Sequence, residues 1–378
     1  MNLKRRLWLA SICLLVGALT LPQAGCGERP RKKPTPKPDA KAAKKPEDKS
    51  LEKPVEKPAE KPEEAAAFQL KLPLGLPDLP IPKDNPMTAE KIELGKLLYF
   101  DKRLSKDGTV SCATCHDPKV GWAERTPTST GIKNQVGGRN APTVINAAYA
   151  TAQFWDGREP TLEAQAVGPV GNPIEMGHSM PDLIKQLAEV PDYKERFQRV
   201  FGTGPDEAGL AKAIAAFERT VLSGNSPYDK FKADDKKAMS EAAGRGLKLF
   251  TDAGCANCHE PPLFSSYDYE NAGIGMNAEK PDVGRMEVTK KEEDKGAFRI
   301  PALRSIADTA PYFHDGSAKT LEEAVAVMAA GGKDNPNLSE MLKEVRDAKI
   351  DDQGRKDLVE FLKALSGEYP ILDPPKLP

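Results

Sequence analysis

The 378-residue chain contains two Cys-x-x-Cys-His strings, Cys112-Ala-Thr-Cys115-His116 and Cys255-Ala-Asn-Cys258-His259. Each has the form that holds a c-type haem covalently. On a helix the first Cys, the second Cys and the His fall at i, i+3 and i+4 and share one face. Two thiols can then form thioethers to the haem vinyls while the adjacent imidazole binds the iron. Zinc would want its two Cys-x-x-Cys pairs about 15–20 residues apart, whereas Cys255 follows Cys115 by well over a hundred positions. A thioredoxin-like dithiol would sit near a βαβ pattern, and the sequence has none. A chain built around two haems is the leading expectation.

The N-terminus reads as an export signal. Lys4, Arg5 and Arg6 precede an apolar run from Leu7 to Leu21, which is short of the about 20 residues a membrane span needs. Leu21-Pro-Gln-Ala-Gly-Cys26 resembles a bacterial lipobox, with Gln23 departing from the usual apolar residue. Residues 1–26 are therefore expected to be a signal peptide ending in a lipidated Cys26, and the protein periplasmic and membrane-anchored; ordinary secretion is the alternative. With Cys13 inside the signal, the remaining four of the six cysteines go to haem and none is left for a disulfide.

Residues 27–67 repeat Lys-Pro and Glu-Lys-Pro units. So few apolar residues cannot offset the entropy of ordering, and frequent Pro favours extended polyproline II. The segment is expected to be a disordered tether reaching roughly 120 Å at most, with a Pro-rich partner-binding segment as the rival. A net charge of −1 gives no reason to expect nucleic acid. The remainder is long enough for two domains with separate cores.

The two strings sit in similar contexts. Thr88-Ala-Glu-Lys-Ile-Glu-Leu-Gly-Lys-Leu-Leu-Tyr-Phe100 precedes the first, and Ser240-Glu-Ala-Ala-Gly-Arg-Gly-Leu-Lys-Leu-Phe250 precedes the second. Both open on a capping hydroxyl and continue as an apolar helical stripe. Each half also closes on an amphipathic helix, Leu210–Leu222 in the first and Asp357–Leu365 in the second. The expectation is an all-α protein of two cytochrome c-like domains, 68–235 and 236–378. A long Gly/Pro/Asn-rich insertion, about 117–173, interrupts the first domain, and loops of that length in a compact domain usually carry function.

His116 and His259 fill one axial position on each iron, and only His178 and His314 remain. Met328, on a helix with Leu321, Ala324 and Val325, is the leading sixth ligand for the second haem, with Met276 and Met286 as rivals. A Met on such a face is more often core filler, and His/Met ligation would raise the potential of that haem. The first haem has no evident sixth ligand, so its iron is open to peroxide, oxygen or carbon monoxide.

From about Pro86 onward the chain resembles the bacterial dihaem cytochrome c peroxidases, in the wider family that includes the MauG-type enzymes. The strings that carry the resemblance include Arg139-Asn-Ala-Pro-Thr143, Gln153-Phe-Trp-Asp-Gly-Arg158, Gln165-Ala-Val-Gly-Pro169, Pro173-Ile-Glu-Met176, Ala310-Pro-Tyr-Phe-His-Asp-Gly316 and Leu321-Glu-Glu-Ala-Val-Ala-Val-Met328. The resemblance implies that His116 serves a peroxidatic haem, with Glu175 as acid/base and Gln165 beside it. It implies that Trp155 lies on the electron route between the haems, and that Met328 completes the electron-transferring haem of His259. It places calcium between the domains on Asn140 and the main-chain oxygens of Thr309 and Pro311. Without it, Glu175 reads as a solvated loop carboxylate, Trp155 as a core anchor, Gln165 as a surface residue and Asn140 as part of a turn. His314 is read as structural.

The implied activity is reduction of hydrogen peroxide with electrons from a soluble cytochrome c or cupredoxin, in a monomer or homodimer. Many relatives carry a His after a Pro-Thr-Ser string that caps the peroxidatic iron until the other haem is reduced. Here the loop reads Pro127-Thr-Ser-Thr-Gly-Ile-Lys-Asn-Gln-Val-Gly-Gly138, with Ile132 and Lys133 where that His would fall. The expectation is a first haem that is always open, with His178 as a substitute ligand in the competing case. A MauG-type oxidase acting on a partner protein and a non-catalytic electron carrier are the alternatives; the Tyr that MauG-type enzymes carry on the second haem, in place of Met, weighs against the former.

Overall fold

Thr88 and Ser240 cap the helices that lead to the two strings: Thr88 Oγ1 accepts from the Lys91 amide at 3.2 Å and Ser240 Oγ from the Ala243 amide at 3.1 Å. The computed structural model describes residues 68–378. The signal, the Cys26 lipobox and the Lys/Pro-rich segment lie outside the described residues. The helices are α1 (Ala89–Phe100), α2 (Cys112–Cys115), α3 (Leu162–Gly171), α4 (Met180–Ala188), α5 (Pro191–Phe201), α6 (Glu207–Glu218), α7 (Pro227–Lys232), α8 (Glu241–Asp252), α9 (Met286–Thr289), α10 (Leu321–Ala329), α11 (Met341–Asp347) and α12 (Asp352–Lys363). Among the described residues the only strands are β1 (Tyr269–Glu270) and β2 (Phe298–Arg299), an antiparallel pair with Tyr269 opposite Arg299. The protein is mostly helical, as the sequence suggests.

The closing helices begin earlier than their apolar stripes. α6 starts behind Asp206, whose carboxylate accepts from the Gly209 amide at 2.7 Å, and α12 behind Asp351, which does the same for Gly354 at 2.7 Å. α6 also stops at Glu218 rather than Leu222, where the Thr220 hydroxyl donates to the Phe217 carbonyl at 2.7 Å and ends the helical ladder.

Each half is built on a close helix crossing, α1 on α6 and α8 on α12. Glycine makes both possible: a Cβ on Gly95 would overlap the Ala213 carbonyl, and one on Gly246 would overlap that of Asp357. These glycines hold equivalent places in the two repeats. Around the crossings lie two hydrophobic cores. The first gathers side chains from Leu94 to Val221, and the second gathers them from Tyr228 on α7 to Leu365.

The halves are also tied together. After α12 the chain returns to the first half, where Tyr369, Leu372 and Leu377 pack on its core and the Trp122 indole donates to Pro370 O at 2.7 Å. Arg304, 1% exposed, forms a two-pronged pair with Asp229 at 2.8 Å and also donates to Gly75 O at 2.8 Å and Pro262 O at 2.7 Å.

The crossings predict that Gly95→Ala and Gly246→Ala each force two backbones apart and cost about 1–3 kcal/mol. Denaturant unfolding of the holoprotein would measure it. Unchanged stability in both variants would contradict contact at those glycines.

Candidate functional site

The first string is a single helical turn, α2, in which the Ser111 amide donates to Thr114 Oγ1 at 2.9 Å and the His116 amide to Cys112 O at 2.9 Å. The buried Tyr99 hydroxyl donates to His116 O at 2.9 Å and fixes the end of the turn. The second string is tighter, a 3-10 turn over Cys255–Asn257, yet the His259 amide still reaches Cys255 O at 3.0 Å. Both turns bring the Cys and His side chains to one continuous, mostly apolar cavity of about 920 Å³.

The chemistry of these donors suits haem c. All four thiols are free. Burial pushes Cys115, Cys255 and Cys258 up to about 11 and Cys112 higher still, which keeps them neutral thiols. Burial also keeps both imidazoles neutral, lowering His259 and bringing His116 down to about 4. Nδ1 of His259 lies 3.0 Å from Phe264 O, to which its N–H donates, leaving Nε2 free to ligate. Nδ1 of His116 is buried with no such partner.

Glu175, Gln165, Trp155 and Met328 line the same cavity. Glu175 follows α3 in a turn where Asn172 Nδ2 donates to its Oε1 at 2.8 Å. Burial raises its pKa against the pull of Arg158 and the Asn172 hydrogen bond, and it shares the cavity wall with Cys115. Gln165 stands on α3. The Trp155 indole donates to Asn140 O at 2.9 Å and meets His314 edge-on at 6.5 Å, while His314 stacks on Phe298 at 3.6 Å. Met328 is on α10; Met276 and Met286 do not line the cavity.

Asn140, Thr309 and Pro311 also lie on the cavity wall. The Asn140 amide N–H donates to His314 O at 2.7 Å, and its side-chain nitrogen donates to Thr126 O at 3.0 Å, leaving Oδ1 for another partner. Among the described residues no cluster of three or more His, Cys, Asp or Glu side chains is arranged for a metal ion.

The loop where a capping His would fall is pinned in place. Ile132 is buried in the first core and its amide donates to Glu175 O at 2.8 Å. Gln135 Nε2 donates to Pro173 O at 3.0 Å, and Lys133 points to solvent. His178 is off the cavity wall, with Nδ1 3.1 Å from Ser179 O and Nε2 3.2 Å from Gln186 Oε1.

Polar residues on the cavity wall that carry no sequence signal include Arg299, Tyr267 and Glu218. Glu218 is hidden on the buried face of α6 beside Arg219, with one carboxylate oxygen unpartnered.

Residues 89–237 match the family model described as di-haem cytochrome c peroxidase, and residues 243–366 match the cytochrome c model. A cytochrome c551 peroxidase of Nitrosomonas europaea is 41% identical, the match covering 80% of this chain and 87% of the relative. The methylamine utilization protein MauG of Methylorubrum extorquens is 38% identical, covering 79% and 85%. A solved structure of a MauG-like protein associated with microbial copper homeostasis superimposes with a TM-score of 0.70 at 31% identity, covering 80% of this chain and 96% of that one.

Burial, reinforced by Glu163 and opposed by Arg219, pushes Glu218 up from 4.5 to about 8. The folded state therefore keeps a proton that the unfolded chain releases near 4.5, and stability falls as pH rises from there to about 8. Glu218→Gln should flatten a fall on the order of a few kcal/mol, read by denaturant unfolding across that range. An unaltered pH slope would contradict a buried, protonated Glu218.

Proposed function

The chain belongs to the di-haem cytochrome c peroxidase family, and we propose that it reduces hydrogen peroxide to water at a first haem that is open without reductive activation. The observation that carries this reading is the wall around the first string. It presents Glu175, Gln165 and Trp155, and the loop beside it reaches the cavity through Ser129, Gly131, Gly137 and Gly138, with Ile132 turned into the first core and Lys133 exposed, so it brings no imidazole to the wall.

Haem c, when bound, supplies an iron that takes peroxide and a second iron that stores an electron. His116, with Cys112 and Cys115, would hold the first; His259 and Met328, with Cys255 and Cys258, would hold the second. Glu175 takes the proton from one peroxide oxygen and returns it to the other, so that two electrons and two protons yield two waters. The raised pKa of its half-buried carboxyl suits both halves of that transfer. Gln165 orients the peroxide beside it. Trp155, hydrogen-bonded to Asn140 and packed on His314, lies on the electron route between the two halves.

Asn140 Oδ1 with the main-chain oxygens of Thr309 and Pro311 forms a set of hard oxygen donors suited to calcium. A small soluble cytochrome c or cupredoxin serves as electron donor, to a monomer or a homodimer. Export on residues 1–26 and lipidation of Cys26 put the enzyme in the periplasm at the end of its tether. Similarity to MauG supports a second reading, a dihaem oxidase acting on a partner protein; Met328 on the cavity wall, rather than Tyr, favours the peroxidase. A non-catalytic electron carrier would need both irons closed.

Peroxide added to the fully oxidised holoprotein, with reduced cytochrome c as donor, should turn over with no lag. Glu175→Gln should retain both haems and lose about 10²–10⁴-fold in kcat. A lag that pre-reduction removes would contradict the open haem. Absence of turnover with or without pre-reduction would contradict the peroxidase.

A further inference from the structure

Four arginines surround the junction of the two halves; two are paired with carboxylates and a third is held by two carbonyls. Arg139 pairs with Asp156 and Asp282 at 2.6 Å each. Arg158 pairs with Asp156 at 3.0 Å. Arg285 donates to the carbonyls of Asp156 at 2.8 Å and Gly157 at 3.0 Å. Arg299, on β2, has no carboxylate partner among the described residues. Its Nε donates to Phe154 O at 3.3 Å, its guanidinium lies 5.6 Å from the Tyr267 ring, and its two terminal nitrogens find no acceptor among the described residues. It lines the cavity that both Cys-x-x-Cys-His strings enter. Behind it the Tyr267 hydroxyl is buried without a partner.

A guanidinium stays charged even where burial disfavours the charge, as it does here. Arg299 is half-buried, open to the cavity, and a group filling that cavity without an opposite charge would leave its charge buried and unpaired at a cost of several kcal/mol. Such a group is tolerated where a ligand brings the opposite charge. Haem carries two propionate carboxylates, and the planar fork of Arg matches a carboxylate with two parallel hydrogen bonds. Phe154 O already holds Nε, which leaves Nη1 and Nη2 as the free pair.

We propose that Arg299 is a carboxylate clamp for a haem propionate at the junction of the two halves. The Arg299 amide donates to Trp155 O at 2.7 Å and its Nε to Phe154 O, so the clamp joins that propionate to the main chain that carries Trp155. Arg299 is thus a positioning residue for the electron route, and it tunes the haem whose propionate it holds. A cation beside a haem favours the reduced iron, so its removal lowers the midpoint potential.

The inference rests on the two-haem reading, which the haem content of the wild-type holoprotein tests by itself. The clamp is then tested by spectroelectrochemical titration of wild-type, Arg299→Gln and Arg299→Lys holoproteins. In Arg299→Gln the reduction equilibrium of one haem should shift by roughly tenfold toward the oxidised form, about 59 mV, and Arg299→Lys should restore part of the shift. The haem that moves identifies whose propionate is held. Unchanged potentials at both haems would overturn the clamp. Should Arg299→Gln fail to take up both haems, resonance Raman spectra of Arg299→Lys decide the matter. A shifted propionate bending band supports the clamp, and a band identical to wild type overturns it.

Discussion

Two hydrogen bonds across the junction, Asn140 N–H to His314 O and Arg299 N–H to Trp155 O, govern the rest of the structure. Each joins the long insertion of the first half to the second half. Together with the return of the C-terminal segment over the first core and the buried Ser223–Ser305 hydroxyl contact, they hold two separate cores against each other. The two Cys-x-x-Cys-His turns consequently open on one cavity rather than two. Electron exchange between sites on different cores needs that fixed relation, and Trp155 sits within it, its indole on Asn140 and its carbonyl on Arg299.

A duplicated plan has become unequal. Both halves use a capped helix, a close crossing at glycine and a short turn that presents His. The second turn has its imidazole oriented by Phe264 O and Met328 on the same cavity wall. The first has a His with an unpartnered Nδ1 and a wall of Glu175, Gln165 and Trp155. A thioether on the ligating face suits electron storage at high potential. A half-buried carboxyl raised by desolvation suits proton transfer.

Much of this was legible because its signals are local. The Cys-x-x-Cys-His spacing, the Thr88 and Ser240 caps and the stripe ending at Met328 are read within a few residues. The starts of α6 and α12 were missed because Asp206 and Asp351 lie ahead of the apolar stripes that betray a helix. Glu175, Trp155 and Asn140 look like ordinary loop residues on their own, and only resemblance to a family singles them out; their convergence depends on the folded insertion. Arg299, Tyr267 and Glu218 left no trace in the sequence, since what distinguishes them is the absence of a partner, a property of three-dimensional packing alone.

The central claim is the inequality of the two irons, and electron paramagnetic resonance of the fully oxidised holoprotein reports both at once. The account predicts a high-spin ferric signal from the first haem beside a low-spin His/Met signal from the second. Two low-spin signals with no high-spin species, one of them bis-histidine, would contradict it.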